Sequence, residues 1–114
     1  MRADIKAEWL ARLRDGSFKQ GRYQLRDMED HFDAVGVLMD LAVTHGVIPE
    51  PVFYGADREA PVFFGWRYGE SATRATREVW DWAEIGQFRL NHIQHMNDKG
   101  STFLEIADYI EENF

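Results

Sequence analysis

Lys19-Gln20-Gly21-Arg22, followed by Arg26, gathers three cations into one short non-helical stretch. Glycine lets backbone N–H groups approach an oxyanion, and arginine grips one through two parallel hydrogen bonds. The same residues suit a structural turn whose cations pair with neighbouring carboxylates. The stretch is not a P-loop, because it lacks the spaced glycines and the Lys-Ser/Thr pair. Near the other end, Asn97-Asp98 precedes Lys99-Gly100. An amide and a carboxylate at a helix end suit the edge of a base or a ribose. Asn, Asp and Gly also close helix–helix connections without any ligand.

Other reactive groups carry weaker patterns. His92 and His95 share a helix face at i, i+3, but no third metal ligand is marked by spacing. No metal and no cofactor is expected. Ser17, Ser71 and Ser101 lack the surroundings of a nucleophile elbow. Asp27, Glu29, Asp30 and Asp33 read as a solvated helix start. Asp27 to Asp33 and Asp108 to Glu112 could also present carboxylate rows that mimic a phosphate backbone, although charged, soluble helix surfaces are far commoner.

The body that must hold these groups is a single domain of 114 residues. Its hydrophobic fraction of 45% and aromatic fraction of 14% fit a packed globule rather than a disordered chain. The net charge of -7 disfavours direct nucleic-acid binding. There is no cysteine, so disulfides and thiolate metal sites are excluded and a reducing cytoplasm is the expected setting. The charged start, Met1 to Lys6, does not read as a signal peptide, and no apolar run reaches membrane-spanning length.

Apolar spacing predicts helices over Asp4–Arg14, Asp30–Thr44, Thr73 or Ala75 to Ile85, and Arg89–Asp98, with a last helix starting at Thr102. Thr102 and Glu105 have the spacing of a capping box. The Asp30–Thr44 helix is apolar on several sides, which predicts a central, buried position. Gly36 inside it implies close approach by another element. Pro49, Pro51 and Pro61 forbid a long helix across the middle of the chain. Val52-Phe53-Tyr54 and Val62-Phe63-Phe64 predict a hairpin there, with a continuation through Trp66 and Tyr68. Trp9, Leu13, Leu38, Met39, Phe103, Ile106 and Ile110 are the expected core.

Leu13 to Gly16, Phe18 to Arg26, Asp33 to Asp40, Val79 to Ile85 and Met96 to Glu111 together resemble a family of small bacteriophage and prophage proteins. Members of that family carry Tyr-x-Gln-Gly-Arg-Gly-x-Leu-Arg, then Cys-Cys-Leu-Gly-Val-Leu-Cys-Asp, and later Leu-Asn-Asp-x-Gly-x-Ser-Phe-x-x-Ile-Ala-Asp. In this chain Asp33, Ala34 and Met39 replace the family's cysteines, and Tyr23 stands where glycine is usual. Val47 to Arg74 is unmatched. The resemblance implies a phage origin and supplies no mechanism.

These readings predict an α+β, mostly helical single domain of about five helices with a small β-hairpin. The expected function is non-enzymatic binding in the cytoplasm of an infected cell, as in counter-defence. The expected ligand is a small anion such as a signalling nucleotide, held by Lys19, Gln20, Arg22, Arg26, Asn97 and Asp98 in one pocket. The alternatives are inhibition of a host protein through an acidic or aromatic surface, and a small hydrolase with a noncanonical site. No membrane partner is expected, and self-association is left open.

Overall fold

The computed structural model describes residues 1–54 and 65–114. Among these described residues, five helices, α1 (Ala3–Arg14), α2 (Ala34–Thr44), α3 (Arg77–Ala83), α4 (Gln87–Asp98) and α5 (Phe103–Asn113), pack with four short strands. The strands are β1 (Lys19–Gln20), β2 (His31–Phe32), β3 (Val52–Tyr54) and β4 (Gly65–Arg67). The fold is α+β and mostly helical, as its sequence pattern requires.

Helix α2 is the centre. Eight of its residues, from Ala34 to Ala42, are buried. Helix α1 lays Ile5, Trp9, Leu10 and Leu13 against it, and the Trp9 indole N–H donates to Ala34 O at 2.9 Å. Helix α5 packs on α1 through Phe103, Ile106, Ala107 and Ile110. All seven expected core residues are buried in this one cluster. Gly36 meets the close approach that its position implies. A Cβ there would lie 1.8 Å from the Leu25 carbonyl oxygen, so the chain leading into α2 crosses it in near contact.

Helix α2 begins four residues later than the apolar pattern suggests. Asp30 has a left-handed φ of 61°, and His31–Phe32 run parallel to β1, pairing Lys19 with His31 and Gln20 with Phe32. Asp33 is extended and caps the helix through its side chain, which accepts from Gly36 N at 2.6 Å. Helix α3 is likewise shorter than expected, spanning Arg77 to Ala83 and ending at left-handed Glu84. Residues 73–76 are instead a connection shaped by Ser71, whose hydroxyl bonds Arg74 N and O.

Strand β3 pairs antiparallel with β4, Phe53 opposite Trp66. The first expected strand is therefore present, paired with the expected continuation at Trp66. Val62-Phe63-Phe64 lie outside the described residues.

The capping box at α5 is complete: Thr102 Oγ1 accepts from Glu105 N, and Glu105 Oε1 accepts from Thr102 N. Thr102→Ala should lower the unfolding free energy by about 0.5–2 kcal/mol, because one end-of-helix N–H loses its acceptor. Urea denaturation measures this directly. An unchanged midpoint would mean that the cap contributes nothing to the folded state.

Candidate functional site

The chain from Lys19 to Arg26 does fold against the Asn97-Asp98 helix end. Asn97 is fully buried, and its side chain ties three segments together. Its Oδ1 accepts from Gln20 Nε2 at 2.9 Å and from Ala34 N at 3.1 Å, and its Nδ2 donates to Gly21 O at 2.8 Å. Gln20 completes the web by donating to Ser101 O and accepting from Phe103 N. Both amides thus act as internal cross-links, in place of the ligand-reading role expected of them.

The expected cations also separate. Arg26 lies on Asp30 at 2.9 Å, with its guanidinium 4.1 Å from the Trp66 ring centre and 5.1 Å from that of Phe32. That is the structural pairing, reinforced by two aromatic faces. Lys19 and Arg22 are exposed, Arg22 reaching toward the Gly100 turn. Of the six expected site residues, Asp98 lines a cavity beside this web.

That cavity measures about 380 Å³. One wall is a single face of α4. Asn91, Gln94, His95 and Asp98 recur at i, i+3, i+4 and i+7, so their side chains project the same way. Thr73 and Arg74 form the opposing wall, with Tyr23 at the edge. Tyr23 holds a left-handed φ of 69°, rare for a bulky residue, and its N–H donates to Asp98 Oδ1 at 2.9 Å.

Asp33 is the deepest group of the cavity, at 1% exposure. Its Oδ2 accepts from Gln94 Nε2 at 3.3 Å, and the same Nε2 donates to Thr73 O at 2.5 Å. Burial pushes the Asp33 carboxyl up from 3.8 to about 7, against the pull of the Gly36 and Gln94 hydrogen bonds, and the charge of Asp98 adds to the rise. The sequence placed Asp33 in a solvated helix start. The chain of β2 and the α4 face enclose it instead.

The two histidines diverge. His95 lines the Asp33 cavity, whereas His92 packs on Tyr109 with ring centres 5.3 Å apart. Among the described residues, no three His, Cys, Asp or Glu side chains are grouped to hold a metal ion. The acidic rows are also engaged: Asp108 and Glu111 both pair with Arg14, at 2.8 and 3.0 Å. No helix among the described residues is long and apolar enough to cross a membrane.

Fold and cavity together define a small, mostly helical α+β domain with an open polar site between α4 and the 72–74 connection. The chain belongs to the family described as Domain of unknown function (DUF8296), which it matches over residues 1–114. No curated protein and no solved structure matches it.

Proposed function

We propose that this protein is a non-enzymatic binding domain that captures a small polar ligand bearing an anionic group, such as a signalling nucleotide. The observation that carries the reading is the convergence of amide, carboxylate, imidazole and guanidinium groups on one cavity with a buried carboxyl at its base. A site of this size accommodates a small molecule. Asp98, Asn91 and Gln94 suit the donors and acceptors of a heterocyclic edge. Arg74 supplies positive charge and His95 a ring N–H donor for an anionic group, a part that the sequence assigned to Lys19, Arg22 and Arg26. In the phage setting that the sequence resemblance implies, such capture would withdraw a signal from a host defence response.

Native mass spectrometry and calorimetry against a nucleotide panel test this. Arg74→Ala should weaken binding roughly tenfold to a hundredfold and leave the fold intact, because a charge-assisted contact is lost from an exposed side chain. Loss of binding in Arg22→Ala, with Arg74→Ala unaffected, would return the site to the Lys19 to Arg26 segment. Inhibition of a host protein has one observation in its favour: Phe88 is 89% exposed and shares a surface groove with Asp81 and Glu84. Under that reading Phe88→Ala abolishes activity and Arg74→Ala does not.

A further inference from the structure

A second cavity, of about 360 Å³, lies across the 72–74 connection from the first, and Thr73 lines both. Two polar atoms in its lining residues are buried and lack any hydrogen-bond partner within the described protein: Arg67 Nε and Thr76 Oγ1. Buried polar atoms in native folds are nearly always paired, so two such atoms around one cavity require an explanation. We propose that this cavity is an oxyanion site, taking a phosphate or carboxylate group between Arg67 and Thr76.

The local structure explains why both groups are available. Arg67 leaves β4 with its guanidinium 4.2 Å from the Tyr54 ring centre. That stacking fixes the plane of the fork, and its Nε edge has no partner among the described residues. Thr76 occupies the position preceding α3, where a threonine hydroxyl ordinarily accepts from the third helical N–H. Here that donor, Val79 N, already bonds to Thr76 O at 3.1 Å, and the side chain makes no cap bond. The hydroxyl is therefore free to donate. Ser71 is not a further ligand group, because its hydroxyl is spent on Arg74. Glu70, on the same rim, opposes an anion and sets the affinity below what Arg67 alone would give.

A guanidinium edge and a hydroxyl are donors, so their shared complement is an oxyanion rather than a cation or an apolar group. This inference stands on its own cavity and does not depend on a nucleotide filling the Asp33 site. Both sites in one ligand would place its anionic end at Arg67, on the far side of Thr73.

The test is a titration of the full chain with inorganic phosphate and, separately, with acetate, followed by amide NMR shifts. Saturable shifts confined to residues 67–76 are expected. Stronger binding of phosphate assigns a phosphate group, and stronger binding of acetate a carboxylate. Arg67→Met keeps the packing on Tyr54 and should weaken the tighter anion by roughly tenfold or more. Thr76→Val should weaken it severalfold, and Glu70→Gln should tighten it. Asp98→Ala should leave it unchanged, which separates this site from the first cavity. Should Arg67→Met fail to fold, the wild-type shift map decides alone. Shifts mapping elsewhere, no saturable shifts with either anion, or full binding in folded Arg67→Met would overturn the proposal.

Discussion

Asn97→Ala should destabilise the protein by about 3–5 kcal/mol. The substitution leaves Gly21 O and Ala34 N without their partner and removes one of the bonds of Gln20. A buried polar group stripped of its partner costs about 1–3 kcal/mol, and the truncated side chain adds a void. The loss corresponds to a fall in melting temperature on the order of 10 °C or more. It should appear in the urea midpoint with little change in slope. Asn97→Asp is the informative companion. It keeps the oxygen that receives Gln20 and Ala34 but turns the donor facing Gly21 O into an acceptor. A mild effect of alanine, with aspartate no worse, would mean that water satisfies these groups and that the web is not what joins α4 to β1 and α2.

The web also shows where the sequence was readable. The helices were legible because their apolar residues recur at helical spacing, as Phe103, Ile106, Ala107 and Ile110 do in α5. Gly36 was legible as a contact point because glycine inside so apolar a helix needs a reason, and the Leu25 carbonyl supplies it. The starts of α2 and α3 were not, because His31 and Phe32 are held by pairing with β1 and residues 73–76 by the Ser71 hydroxyl on Arg74. In the site, the meeting of the 19–26 segment with Asn97-Asp98 was foreseen but the roles were not. Asn97 has the same residue type as a ligand-reading amide, and only its burial distinguishes a cross-link. A usable signal lies in α4. Asn91, Gln94, His95 and Asp98 form a polar stripe at i, i+3, i+4 and i+7, the same periodicity that marks a core face. Thr73 and Arg74 join that stripe through a loop path that no local pattern encodes.

Asp33 should impose a pH dependence opposite in direction to that of most carboxylates. Its folded carboxyl titrates near 7, raised from 3.8 chiefly by burial. Below about pH 4 both folded and unfolded chains hold the proton, and the burial carries no ionic penalty. As pH rises, the unfolded chain releases the proton first, so folding stability falls until the folded carboxyl also ionises near 7. The span corresponds to a loss of about 4 kcal/mol. Asp4, Asp15, Glu105 and Glu111 act the other way, since hydrogen bonds and neighbouring charges lower their pKa values and their contribution is lost on acidification. Asp33→Asn isolates the term. The amide keeps a cap acceptor for Gly36 N, and its mismatch with Gln94 is independent of pH. Urea unfolding of both proteins from pH 4.5 to 7.5 should show the variant gaining on the wild type across the range by most of that amount. A constant difference would place the Asp33 titration at its ordinary position and make it a plain helix cap. The same titration bears on binding: a protonated Asp33 donates into the cavity and an ionised one accepts. A ligand held there should change affinity around neutral pH in the wild type, and that component should vanish in Asp33→Asn.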